Sequence, residues 1–93
     1  SSIGTLIVTT AAGSANGKSV VTVAGNGAGK LKYQVAGQTI PVGNGETLDK
    51  AWLDLPSNKT IDATTGQTIT VVELDADGHA TAVGSGSVTA KAG

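Results

Sequence analysis

The stretch Lys30-Leu31-Lys32-Tyr33-Gln34-Val35 sets Leu31, Tyr33 and Val35 against Lys30, Lys32 and Gln34. Successive side chains of a strand point to opposite faces, whereas an apolar stripe on a helix recurs every three to four residues. A period of two therefore predicts a strand with one dry face and one wet face.

The pattern extends in both directions. Upstream, residues 25–29 are all Gly, Asn or Ala and read as a loop, because Gly and Asn tolerate positive φ. Before it lie a Val-rich strand over 19–24, a polar break over 11–18 and a first strand over 4–10. Downstream, Gly37 ends the alternation and 38–42 reads as a short return strand, with Pro41 suited to an edge. Segment 43–58 is irregular. It is either a crossover or a single helical turn near 47–55 that Thr47 caps, with Leu48, Trp52 and Leu55 at i, i+4 and i+7.

Residues 60–63 read as a strand, 64–66 as a turn and 68–74 as a strong strand. Within it Ile69 and Val71 face one way, and Val72 and Leu74 suggest a phase change that a bulge near Val71-Val72 would explain. Asp77-Gly78 signals a hairpin turn, and the last segment, 80–90, looks interrupted by Gly84-Ser85-Gly86. Seven short strands at these spacings predict one antiparallel, immunoglobulin-like β-sandwich spanning 1–93.

Composition supports that class. Val, Ile and Thr are stiff at χ1 and fit pleated sheet, while 14 glycines would each weaken a helix by about 1 kcal/mol. Six basic and seven acidic residues leave a net charge of −1. That balance offers no basic stripe to displace counterions, so no nucleic acid is expected as a partner. The sequence has no cysteine, hence no disulfide, thiolate metal site or cysteine nucleophile. No apolar run reaches the ~20 residues of a helical membrane span, and no membrane insertion is expected. The opening Ser1-Ser2 suggests a domain processed or excised from a longer chain.

Motifs for chemistry are incomplete. His79 has no second His or Cys with which to share a metal, and its place after Asp77-Gly78 suits a solvated turn. Glu73, Asp75, Asp77 and Gly78 match the opening of a calcium loop, but Gly84 stands where the twelfth-position carboxylate belongs. Gly25 to Lys30 superficially resembles a phosphate loop, yet Ala24 and Leu31 occupy positions that require Gly and a hydroxyl. Glu46, Asp49, Asp54, Asp62 and Glu73 supply carboxylates without a cleft to hold them.

Asn58-Lys59-Thr60 is a formal glycosylation sequon, and Asn-Gly steps at 16–17, 26–27 and 44–45 are turn formers that are also prone to deamidation. Tyr33 and Trp52, the two aromatics, read as core, which leaves no aromatic platform for sugars. No enzymatic activity and no cofactor are expected. Asn26, Lys30, Asn44, Glu46, Asp75, Asp77 and His79, all in loops or at loop ends, are the candidate interaction residues.

Several stretches together resemble Ig-like accessory domains of tailed-phage virions, of the head-decoration or head-fibre type. They are Gly4-Thr5-Leu6-Ile7-Val8, Gly17-Lys18-Ser19-Val20-Val21-Thr22-Val23, Lys32-Tyr33-Gln34-Val35, Trp52 in the crossover, the run from Ile61 to Asp75 and the run from Ala80 to Ala90. Similar modules occur in bacterial surface proteins. The resemblance implies a virion-surface location, attachment to a capsid or other structural protein, a face turned to the host surface, possible homo-oligomers and no catalytic residues. The alternative it implies is a stalk or adhesion domain of a bacterial cell-surface protein, weakly glycan-binding.

Overall fold

The computed structural model describes residues 3–25, 29–48, 52–56 and 58–91. Among them are eight strands and no helix: β1 (Gly4–Thr5), β2 (Ile7–Ala12), β3 (Lys18–Ala24), β4 (Lys30–Ala36), β5 (Leu53–Asp54), β6 (Thr60–Asp62), β7 (Thr68–Leu74) and β8 (Ala80–Ser87). They form a five-stranded sheet, β1-β8-β7-β4-β5, and a three-stranded sheet, β2-β3-β6. The all-β sandwich predicted from the alternation is the fold. Its β2-β3-β6 and β4-β7-β8 groupings follow the order of immunoglobulin-like sheets.

The predicted first strand is two strands. Gly4 and Thr5 run parallel to β8, the Leu6 N–H donates to the Val83 carbonyl, and from Ile7 onward the chain pairs antiparallel with β3. The segment thus crosses from one sheet to the other at Leu6. Glycine makes the crossing possible: a Cβ on Gly84 would overlap the Leu6 carbonyl, and one on Gly86 the Val8 carbonyl. The expected interruption of β8 at these glycines is therefore absent. The strand runs through them because they admit a second backbone, not because they bend the chain.

The core between the sheets contains Leu6, Val8, Val21, Ile61, Ile69, Val71, Ala82 and Val88, with Leu31, Tyr33 and Val35 packed against it. The dry face read in β4 is the one that meets this core. Burial raises the Tyr33 phenol above its ordinary pKa, and the nearby Asp62 carboxylate adds to the rise.

A second apolar layer covers the other face of the five-stranded sheet. Trp52, Val72, Leu74 and Ala80 are buried there, with Ile3, Ile40, Val42, Leu48 and Val83 packed against them. This explains β7, whose residues from Ile69 to Leu74 are all buried. Val71 and Val72 are both 0 % exposed because they face different cores. The alternation never breaks, and no bulge is needed at Val71-Val72. A strand covered on both faces reads as a continuous apolar run. The register shift comes two residues later, between Glu73 and Leu74, where Glu73 faces Ala82 and Leu74 faces Ala80.

The covering layer also corrects two other expectations. Residues 38–42 form no strand: the segment lies over the sheet, with the Ile40 N–H donating to the Thr70 hydroxyl and the Thr39 hydroxyl to Ser85 Oγ. The helical face proposed for Leu48, Trp52 and Leu55 does not form. Leu48 and Trp52 belong to the outer layer, Leu55 packs on the inner core, and Leu53–Asp54 is strand β5 beside Lys32 and Tyr33. Residues 49–51 of that stretch lie outside the described residues.

Candidate interaction surface

The β7–β8 hairpin organises one pole of the sandwich. The turn is built by Asp75, whose Oδ1 accepts the N–H groups of Asp77 and His79, both at 2.9 Å. The Asp75 N–H donates to the His79 carbonyl at 2.9 Å, and Gly78 takes φ 83°. Such side-chain capping of a turn is what Asp does well. These backbone donors, His79 foremost, hold the Asp75 carboxyl below its ordinary pKa.

Two further segments dock on this hairpin. The 43–47 turn closes back on itself, with the Gly43 N–H donating to Glu46 Oε1 at 3.2 Å. It then pairs with the start of β8: the Ala80 N–H donates to the Glu46 carbonyl and the Gly45 N–H to the Ala80 carbonyl, both at 2.8 Å. Thr47 bridges His79. On the other side, the Gly29 N–H donates to Glu73 Oε2 at 3.0 Å, and Lys30 lies opposite Leu74 in the sheet. A Cβ on Gly29 would overlap the Leu74 carbonyl, so only glycine lets the chain enter β4 this close to β7.

An open groove of about 660 Å³ lies between the start of β4 and the hairpin, lined by Lys30, Lys32, Glu73, Asp75, Gly78 and Thr81 among others. Lys32 is held by Asp54 at 2.9 Å, and that pairing holds the Asp54 carboxyl below its ordinary pKa. Thr81 is the extra residue at the register shift, and its hydroxyl donates to the Glu73 carbonyl.

Of the residues singled out from the sequence, Lys30, Glu46, Asp75, Asp77 and His79 come together at this pole, and Asn44 belongs to the same 43–47 turn. Asn26 lies outside the described residues. The groove adds Lys32, which shares the wet face of β4 with Lys30, and Thr81, which no sequence pattern marks. Glu73 separates from the acids with which it was grouped. It is buried beneath Gly29, while ligand atoms of Asp75, Asp77 and His79 lie within 4.8 Å of one another. All three are exposed, and the Asp75 carboxylate is already engaged by the turn, so the cluster is explained by hairpin geometry.

The remaining charged groups of the described residues include one further ion pair, Lys18 with Asp62, on neighbouring strands of the smaller sheet. Ile7 and Leu53, the large apolar residues that are exposed, sit apart on β2 and β5, in different sheets. No described helix is long and apolar enough to cross a membrane. No family model matches the chain, and no curated protein or solved structure matches it either.

Proposed function

We propose that this domain is a non-catalytic attachment module that docks through the loops of its hairpin pole onto a protein surface, decorating a phage capsid or another virion part. The observation that carries the reading is the docking of two segments, the 43–47 turn and the Gly29-Lys30 entry to β4, on one hairpin that also walls a groove. Loops held on a rigid sandwich are the usual place for recognition, because the scaffold fixes them without constraining their side chains. The pole offers Lys30 and Lys32 against Glu46, Asp75 and Asp77, a mixed polar surface like the rim of a protein interface. His79 is exposed, and its acidic neighbours are solvated rather than desolvated, which supports a binding role over acid–base chemistry.

Co-sedimentation of the purified domain with capsids lacking it tests the reading. The wild type should pellet with the particles, and Lys30→Glu combined with Asp77→Lys should weaken binding at least tenfold while leaving the fold intact. Failure to pellet, or equal binding by the variant, would count against it.

A second reading, a stalk domain of a bacterial surface protein exposed outside the cell, is favoured by one feature. Gly4 lies beside the hairpin pole and Lys91 beside the β2–β3 turn at the opposite pole of a body 43 Å long. Such domains could therefore follow one another in series. Retention on a glycan array with no affinity for capsids would favour this reading.

A further inference from the structure

The pole opposite the groove is closed by the segment 88–91, which is bonded to three different parts of the fold. The Val88 N–H donates to the Gln67 carbonyl at 2.8 Å, and the Thr89 N–H to Thr10 Oγ1 at 2.9 Å. Ser19 Oγ donates to the Thr89 carbonyl at 2.8 Å, and the Ala90 N–H donates to Thr65 Oγ1 at 2.9 Å. The last link is reciprocal: the Lys91 N–H donates to the Lys18 carbonyl, and the Gly17 N–H donates to the Lys91 carbonyl, both at 3.0 Å.

That final bond falls on a reactive position. Asn16-Gly17 is an exposed turn in which Gly17 takes φ 76°. In an Asn-Gly step the glycine amide nitrogen, once deprotonated, attacks the Asn side-chain carbonyl carbon. A C–N bond forms, the side-chain amide leaves as ammonia, and water opens the resulting succinimide to aspartate or isoaspartate. Glycine permits this because no Cβ hinders the ring closure. The nitrogen that must attack is the one whose proton is given to Lys91.

We propose that Asn16 is a latent deamidation site whose reaction is gated by the outer part of that segment, residues 89–91. While the segment is seated, the Gly17 N–H is engaged and the turn is fixed. When the segment lifts, the nitrogen is released and Asn16 converts. The Asn44-Gly45 step provides an internal contrast, because the Gly45 N–H is given to the carbonyl of Ala80, a fully buried residue at the start of β8. Opening there requires disruption of the hairpin pole, whereas opening at Asn16 requires only residues 89–91 to leave, with Val88 staying in the core. Local openings of this kind are far more frequent than global unfolding, and a slow reaction of the open form reports their population. Conversion would add a negative charge beside the Lys18–Asp62 pair. As isoaspartate it would also lengthen the backbone of the turn that sets the β2–β3 register.

The test is peptide-resolved mass spectrometry of the full chain aged at mildly alkaline pH, comparing wild type, Thr65→Val and Ala90→Pro. Thr65 is exposed and its hydroxyl also donates to the Ala90 carbonyl, so Thr65→Val loosens the segment without touching the core. Loss of one or two such bonds should speed Asn16 conversion about threefold to tenfold, leaving Asn44 unchanged. In wild type, Asn16 should convert at least tenfold more slowly than in urea-unfolded chain. Wild-type conversion as fast as in urea, or no response of Asn16 to Thr65→Val, would overturn the proposal. Should Ala90→Pro unfold the chain and accelerate Asn16 and Asn44 together, the Thr65→Val result alone decides.

Discussion

Gly84 and Gly37 illustrate how the same residue type has opposite consequences at different places. A methyl group at Gly84 would collide with the backbone of the crossing strand, whereas one at Gly37 would meet nothing within 4 Å. Gly84→Ala should therefore cost roughly 3 kcal/mol or more, through strain at the crossing. Gly37→Ala should be neutral or stabilise by about 0.4–1 kcal/mol through the unfolded chain. Urea denaturation of the two variants checks both signs. Asp75 carries a prediction in pH. Its carboxyl is held below the ordinary value in the folded state, so the stabilisation it gives is complete above the unfolded pKa and is lost as pH falls through the lowered folded pKa. Hydrogen exchange by NMR should show the Asp77 and His79 amides losing protection in that acidic window, corrected for intrinsic rates, while core amides of β7 do not. Asp75→Asn, which keeps the acceptor oxygen, should remove the pH dependence and retain the turn.

Among the elements, β7 shows why part of this fold could be read from sequence and part could not. The alternation in β4 needs only its own residues, since one face is dry and the other wet, and it gave the correct strand and the correct inward residues. β7 meets two cores, so its pattern depends on a segment thirty residues earlier, and the apparent phase change at Val71-Val72 was a second apolar layer. The same layer hid the true role of 38–42, where Pro41 suggested an edge strand and the chain instead caps a sheet face. The loop residues of the candidate surface were legible because turn chemistry is local. Their convergence was not, because it is set by the pairing of residues 45–47 with His79 and Ala80. Trp52→Ala tests the outer layer and should destabilise by about 3–5 kcal/mol. Val72→Ala should cost about 1–2 kcal/mol, where an outward residue on a solvated face would cost almost nothing. Both are measurable by urea denaturation.

In the whole molecule the two cores share β7, so the domain should unfold as one unit. Emission from Trp52, the single tryptophan, should shift to the red in step with the loss of far-UV circular dichroism. The outer layer also links to the proposed docking surface: Val42 and Leu48, on either side of the 43–47 turn, pack against the cluster of Trp52, and the turn between them pairs with the hairpin. The pole is then preformed rather than assembled on contact, which reduces the entropy lost when a partner binds. Hydrogen exchange at the Gly45 and Ala80 amides tests this most directly. Both should be strongly protected in the free domain, and Trp52→Ala should weaken their protection together. Free exchange of Gly45 in the wild type, or protection indifferent to the loss of Trp52, would contradict a docking surface built in advance on the hairpin.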